Sequence, residues 1–270
     1  MDMPPIIYGT AWKKERTEAL VGQALREGFR GIDTACQPKH YHEPGVGAAL
    51  TAAIREGRVA RDQIYIQTKF TALSGQDPKR IPYDPDAPLR DQIAQSFAAS
   101  LRNLQVEYLD AWLLHSPMPR DDQTLEAWRA MEAFVDSGGV RRLGISNCYD
   151  LKTLETLHRS SRVKPTILQN RFYADSDYDV DLRAFCTRHG ITYQSFWTLT
   201  ANPHLLGDET VRLLTLKYRR TPAQILFRYL TQLSATPLTG TTSVQHMRED
   251  LSIFDFELSE TELKAITALL

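Results

Sequence analysis

The sequence has 270 residues, of which 42% are hydrophobic and 24% are charged, with a formal net charge of -1. This length suits one large α/β domain or two small ones, and the balanced charge argues against nucleic acid or an anionic membrane as a partner. No apolar run approaches the roughly 20 residues that span a bilayer. The first residues lack a signal peptide's features, and Cys36, Cys148 and Cys186 match no metal-binding spacing. We therefore expect a cytoplasmic protein with free thiols and no metal.

Short apolar segments alternate with amphipathic segments along the whole chain. The predicted strands cover 5–9, 31–35, 64–69, 109–115, 142–146, 166–170, 191–196 and 235–239, and clear helical stripes cover 15–27 and 124–137. Eight strand–helix units in a chain of this length predict a single-domain (β/α)8 TIM barrel over residues 1–270. A doubly wound open sheet is the alternative, but the Gly-rich phosphate turn that it needs after the first strand is absent.

Four polar residues fall at the carboxyl ends of predicted strands or just beyond them. Asp33, Lys69 and His115 end the second, third and fourth strands, and Tyr41 follows the second. A buried Asp is costly unless a cation or hydrogen-bond donors meet it, and Lys69 is a suitable cation. A phenol has a pKa of about 10, so it becomes an effective acid when a nearby ammonium eases the loss of its proton. The four residues predict a proton-delivery site, in which His115 orients a substrate oxygen or shares the proton.

Several motifs around these residues resemble those of the aldo-keto reductases, in particular fungal-type members with a short C-terminus. They are Gly28-Phe29-Arg30-Gly31-Ile32-Asp33-Thr34-Ala35, Thr68-Lys69, Leu114-His115-Ser116-Pro117, Trp128-Arg129-Ala130-Met131-Glu132, Gly144-Ile145-Ser146-Asn147 and Phe254-Asp255-Phe256-Glu257-Leu258. The resemblance implies transfer of a hydride from a nicotinamide to a carbonyl carbon. It makes Tyr41 the general acid, Lys69 and Asp33 its tuning pair, and His115 the orienting group.

The position of the tyrosine departs from the usual spacing of the family. Five residues beyond the aspartate the chain has Pro38, whereas Tyr41 lies eight beyond it, so the loop carries three additional residues. Tyr41 remains the prediction because His42-Glu43 and Val46-Gly47 restore the downstream pattern.

The resemblance also implies a set of cofactor-binding residues. Ser146, Asn147 and Gln169 would hold the nicotinamide carboxamide, Phe196 would stack on the ring, and Trp197 would cover the pyrophosphate or narrow the pocket. Read alone, Asn147 could equally be a helix cap, Gln169 a buried strand amide and Phe196 a core residue. The remaining members of the predicted set are Gly9, Thr10, Leu199, Thr239, Gly240, Thr241, Thr242, His246, Glu249 and Asp250.

The segment from Pro237 to Ser243 favours phosphate binding, because Gly, Thr and Ser beside a helix start offer N–H groups and hydroxyls. A plain strand–turn–helix with Ser243 as N-cap is the alternative. Thr239-Gly240 replaces the family's usual Lys-Ser pair, and His246 stands where an Arg often grips the 2′-phosphate. Histidine is a weaker phosphate ligand than arginine, so we predict NADPH as the cofactor with only a modest preference over NADH.

The partner is expected to be a small carbonyl compound, bound by a monomer. Trp12, Phe70 and Trp112, with Trp197 and the 71–89 loop, are predicted to line its pocket, and an open aromatic cleft would favour bulky aryl carbonyls over short sugars. Two other functions stay open: a nicotinamide-binding regulatory protein with little turnover, and a metal-dependent barrel hydrolase, for which the strand ends supply few ligands.

Overall fold

Eight parallel strands pair in chain order, and the last closes back on the first to form a barrel. The computed structural model describes residues 2–270. The strands are β1 Ile7–Gly9, β2 Gly31–Asp33, β3 Tyr65–Phe70, β4 Ala111–Leu114, β5 Leu143–Ser146, β6 Ile167–Arg171, β7 Thr192–Phe196 and β8 Thr236–Thr239. The predicted (β/α)8 TIM barrel is confirmed.

Helices surround the barrel and connect successive strands. They are α1 Thr17–Glu27, α2 Glu43–Arg55, α3 Leu89–Leu104, α4 Asp121–Asp136, α5 Leu151–Ser160, α6 Val180–His189, α7 Pro203–Gly207, α8 Glu209–Tyr218, α9 Pro222–Gln232, α10 Val244–Leu251 and α11 Glu260–Thr267. None of the helices in residues 2–270 is both long and apolar enough to cross a membrane.

Side chains alternate between the barrel interior and the helix layer, as the two-residue period of a strand requires. The lower interior is apolar and contains Ile7, Tyr65, Ala111, Leu113, Ile167 and Leu238. Space there is tight: a Cβ on Gly144 would lie 2.7 Å from the Ile167 Cβ. Polar residues follow on the same inward faces towards the carboxyl ends of the strands, and the barrel therefore presents its polar end as a candidate site.

The alternation overturns two predicted pocket residues. Trp112 is fully buried and points outward from β4, where its ring centroid lies 5.0 Å from Phe97 of α3 and 5.4 Å from Phe134 of α4. Phe70 points outward from β3 and packs on Tyr83 at 5.7 Å. Because Lys69 and His115 point inward, Phe70, one residue after Lys69, and Trp112, three residues before His115, must point outward.

Two long loops follow β3 and β7, and they behave differently at the cleft that opens at the carboxyl ends of the strands. The 71–89 loop does not line the cleft, because its buried members turn inward against the helix layer: the Tyr83 hydroxyl donates to Thr71 O, and the Gln76 amide donates to Cys36 O. The predicted contribution of this loop to the pocket is therefore wrong. The 198–209 loop does line the cleft, and it contains the short helix α7 with Pro203 in its first turn.

These positions predict losses of stability of very different size when the two tryptophans are replaced. Trp112→Ala should lower the free energy of unfolding by about 3–5 kcal/mol, because it removes a fully packed indole. Trp12→Ala should cost about 1 kcal/mol or less, since such exposed side chains contribute little to stability; 56% of Trp12 is exposed. Urea unfolding followed by circular dichroism measures both. Equal losses would contradict the outward placement of Trp112 in the core.

Candidate active site

A cleft of about 890 Å³ opens at the carboxyl ends of the strands. At one end its walls include Trp12, His40, Tyr41 and His115, and at the other the first turns of α10. The volume lies at the upper end of the range for ligand clefts, about 300–1,000 Å³. Most of the predicted site residues line it; of the predicted substrate set, Trp12 and Trp197 line it, whereas Phe70 and Trp112 do not.

A buried ion pair lies at the base of this cleft. The ammonium of Lys69 donates to both carboxylate oxygens of Asp33, at 2.6 and 2.7 Å, and to Thr34 O at 2.9 Å. Asp33 pairs in register with Gln67. Lys69 lies two residues further along β3 and also points inward, and its side chain extends back to the end of β2. Burial lowers the pKa of Lys69, and the adjacent carboxylate opposes that shift. The pair places a positive group directly below the cleft.

Three glutamine amides complete the base of the site. Gln67 and Gln169 each donate to Asp33 Oδ1, at 2.7 and 3.0 Å, and both also donate to Gln194 Oε1 at 2.8 Å. Gln194 returns a hydrogen bond to Gln67 Oε1 at 2.9 Å. These donors satisfy the carboxylate and hold it in one orientation for Lys69.

Tyr41 lies above the ion pair. The Lys69 Nζ is 5.2 Å from the centroid of the Tyr41 ring, and the His115 ring is 6.0 Å away, edge-on. The longer loop still delivers the phenol because it folds back on itself, with the N–H groups of His40 and Tyr41 both donating to Gln37 O. Burial and the charge of Asp33 raise the pKa of Tyr41, which is the reverse of the shift expected from Lys69 alone. The phenol therefore holds its proton at neutral pH.

His115 is held as a neutral imidazole. Burial, with the charges of Lys69 and His40, lowers the pKa of His115 to about 3. Its Nδ1 lies 2.6 Å from the Thr71 hydroxyl, for which His115 is the sole partner in the described chain. If Thr71 accepted this bond, its own hydrogen would have no acceptor, so the geometry favours donation from Thr71. Nε2 then carries the ring hydrogen and can donate to an oxygen in the cleft.

The ends of β5 and β6 supply amides and a hydroxyl. Ser146 donates to Gln169 O at 2.7 Å, and Asn147, at a positive φ of 52°, donates to His115 O at 2.9 Å. Asp150, rather than Asn147, caps α5. The side-chain nitrogen of Gln169 donates to the polar base, and its side-chain oxygen Oε1 accepts no hydrogen bond within the described chain. That oxygen can accept a carboxamide N–H.

Aromatic side chains form the wall above β7. Phe196 and Trp197 both line the cleft, and Trp197 is 46% exposed at a positive φ of 55°. The guanidinium of Arg171 stacks on Trp197 at 4.3 Å. A flat ligand can thus lie against Phe196 while Trp197 and Arg171 form the rim.

The far end of the cleft is acidic. Thr239, Gly240, Thr241, His246, Glu249 and Asp250 line it, as does Leu199 from the neighbouring loop. Thr239 donates to Asp250 Oδ2 at 2.7 Å, and burial raises the pKa of Asp250 to about 6. Arg248 forms an ion pair with Glu27, in which its Nε donates to Glu27 Oε2 at 2.6 Å. The first turn of α10, capped by Ser243, presents N–H groups to anions.

Two predicted cofactor residues lie outside the lining. Thr10 is buried and its hydroxyl donates to Asp33 O at 2.8 Å, so it supports the end of β2 instead. Thr242 is exposed beside the cleft, whereas Gly9 lines it.

Several residues of the site were not predicted, among them Gln67, Gln194, Arg171, Thr71 and Lys13. The first three could have been found from the two-residue period, since each lies two positions from an inward-facing site residue or on the facing strand. Thr71 follows β3, and no feature of the sequence marks it as a residue of the site. Lys13 is buried, donates to Gly240 O at 2.7 Å, and burial lowers its pKa to about 8.

Comparison with known proteins agrees with this geometry. The profile of the aldo/keto reductase family matches residues 5–270. Methylglyoxal reductase DkgA of Yersinia pestis is 31% identical, over 99% of this chain and 89% of that protein. Glyoxal reductase of Bacillus subtilis is 30% identical, over 94% of this chain and 83% of that protein. The crystal structure of an aldo/keto reductase from Brucella melitensis superposes with a TM-score of 0.82 at 30% identity, covering 99% of this chain and 95% of that one.

The barrel, the polar residues at its strand ends and these matches lead to one conclusion: the chain belongs to the aldo/keto reductase family and is an NAD(P)H-dependent oxidoreductase of carbonyl compounds.

Proposed function

We propose that the protein reduces aldehydes or ketones to alcohols with NADPH, using Tyr41 as the general acid. The observation that carries this proposal is the position of the Tyr41 phenol in the cleft, between the Lys69 ammonium below it and the His115 ring beside it. No other phenol in the described chain lines that cleft.

The chain's own residues supply the proton and hold the carbonyl oxygen. His115 donates from Nε2 to that oxygen, and Tyr41 transfers its proton to the same atom as negative charge develops there. The phenolate left behind is stabilised by the Lys69 ammonium. Asp33 keeps the ammonium charged and in place, and solvent later restores the phenol proton. When bound, the nicotinamide supplies the hydride that reaches the carbonyl carbon.

The lining residues fit a nicotinamide dinucleotide. The open carbonyl oxygen of Gln169, with Ser146 and Asn147, suits a carboxamide, and Phe196 offers a flat face. At the other end the α10 N-terminus suits a phosphate, but Glu249 and Asp250 oppose one. These residues support NADPH with a modest preference over NADH.

The substrate range should include small dicarbonyl compounds, because two relatives are named for methylglyoxal and glyoxal. The preference for bulky aryl carbonyls loses support, since Phe70, Trp112 and the 71–89 loop do not form the pocket wall. The monomeric state and the cytoplasmic location remain predictions, and light scattering tests the first. A turnover screen with NADPH over varied carbonyls separates a reductase from a regulatory protein with little turnover.

Tyr41→Phe should reduce kcat by about 10²–10⁴-fold or more, because it removes only the proton donor. NADPH affinity should change little. Tyr229→Phe is the matched control, since its hydroxyl is bonded to Thr267 away from the cleft. NADPH consumption and fluorescence titration measure the two quantities. A near-normal kcat for Tyr41→Phe would exclude this residue as the acid.

The rate of reduction should show no ionisation of His115 between about pH 5 and pH 7, where a free imidazole titrates. The lowered pKa of His115 keeps it neutral above about pH 3. Any change of kcat/KM over this range, in which Asp250 at the far end of the cleft titrates, should therefore be the same in the wild-type enzyme and in His115→Asn. A fall with decreasing pH through about 6.5 that is abolished in His115→Asn would contradict the neutral assignment.

His246→Arg should tighten NADPH binding by about tenfold or more, because a guanidinium forms charge-assisted hydrogen bonds with a phosphate. NADH lacks the 2′-phosphate and serves as the internal control. Fluorescence titration with both cofactors gives the comparison. Equal tightening of NADH, or no change in either, would show that His246 does not face the 2′-phosphate.

A further inference from the structure

The charge of the cleft lining singles out one residue. Arg171, at the end of β6, is the only Lys or Arg among the described residues that line the cleft. The carboxylates of the lining are Asp33, which Lys69 neutralises, and Glu249 and Asp250 at the far end. Arg171 therefore brings to the cleft a positive charge that is not neutralised by an ion pair within the described chain.

The guanidinium of Arg171 is held in place by aromatic rings and not by an acidic group. It stacks on Trp197 at 4.3 Å and on Tyr173 at 5.0 Å. Within residues 2–270 its side chain forms no ion pair and no hydrogen bond, and its Nε is buried without an acceptor. Stacking fixes the plane of a guanidinium while leaving its N–H groups directed outward. The two Nη groups of Arg171 are not buried and have no partner in the described chain, so they can donate to a ligand in the cleft.

Arg171 lies on the side of the cleft that carries His115 and Asn147, away from the acidic end. Arg171 follows Gln169 by two residues on the inward face of β6 and pairs in register with Phe196. Its backbone N–H donates to the Tyr149 hydroxyl at 3.0 Å, which donates to Asn147 Oδ1 at 3.4 Å, and Asn147 donates to His115 O. This chain of bonds connects the backbone of Arg171 to that of His115. The guanidinium lies on the same side of the cleft, because it is over the Tyr173 ring, which packs edge-on against Tyr149 at 6.0 Å, whereas the acidic end lies on β8 and α10.

We infer that Arg171 binds a carboxylate of the substrate, so that carbonyl compounds carrying a carboxylate are the preferred substrate class. The inference rests on the proposed reductase function, because it concerns the same cleft. A planar carboxylate accepts two N–H groups from a guanidinium at once, which fixes the distance between this group and the reacting carbonyl. Arg171 is then a specificity residue that acts through substrate binding, away from the proton transfer.

The test compares 4-carboxybenzaldehyde with its methyl ester, which differ only in the anionic group. In the wild-type enzyme with NADPH, kcat/KM should favour the acid by about 10- to 100-fold, mainly through KM, which is the range for a charge-assisted hydrogen-bonded pair. Arg171→Met should bring the acid-to-ester ratio close to one, and Arg171→Lys should give an intermediate ratio. Arg228→Met is the matched control, because Arg228 also lies over an aromatic ring, Phe254, but outside the cleft.

The contrary outcomes are distinct. An unchanged acid-to-ester ratio of kcat/KM in Arg171→Met, or a wild-type preference for the ester, overturns the inference. Turnover of the ester in the same assay would still support the proposed reductase function. A loss of NADPH affinity with an unchanged ratio would assign the guanidinium to the cofactor pyrophosphate and also overturn it. If no carbonyl is reduced, calorimetric binding of 4-(hydroxymethyl)benzoate and its methyl ester to the NADPH complex decides. Equal affinities there contradict the inference, and a preference for the acid that Arg171→Met removes supports it.

Discussion

The site depends on one buried ion pair, Asp33 with Lys69, inside the barrel. Removing one member of such a pair typically costs about 3–5 kcal/mol, whereas replacing both by packed apolar residues is often neutral or favourable. Stability alone therefore does not explain why a lysine lies in the barrel interior with 1% exposure. The glutamine amides hold Asp33 in place, and Tyr41 lies above Lys69. Both features support the proposed role of the ion pair in proton transfer.

The surroundings of the ion pair keep two groups of the cleft, Tyr41 and His115, uncharged. Burial raises the pKa of Tyr41 and lowers the pKa of His115, so both are uncharged hydrogen-bond donors at neutral pH. The same burial that makes Tyr41 a weak acid in the free cleft also strengthens its interaction with Lys69 once negative charge develops. In the proposed mechanism, proton transfer from Tyr41 is thereby tied to the presence of a reacting oxygen.

Much of the fold followed from periodicity, while the errors came from applying it incompletely. Each predicted strand matches the observed one within two residues at either end, because buried parallel strands leave clear apolar runs. The inward positions of Asp33, Lys69 and His115 imply the outward positions of Phe70 and Trp112. The same rule points to Arg171 from Gln169. By contrast, neither the packing of the 71–89 loop nor the Thr71–His115 bond could be predicted, since loop contacts follow no period.

The central claim is that Lys69 acts on the reaction through the Tyr41 phenol. The most direct measurement is a double-mutant cycle of single-turnover carbonyl reduction with Tyr41→Phe, Lys69→Met and the combined variant. If Lys69 acts through the phenol, the combined variant should be no slower than Tyr41→Phe alone. Losses that multiply in the combined variant would contradict the account, because Lys69 would then act on the reaction independently of Tyr41.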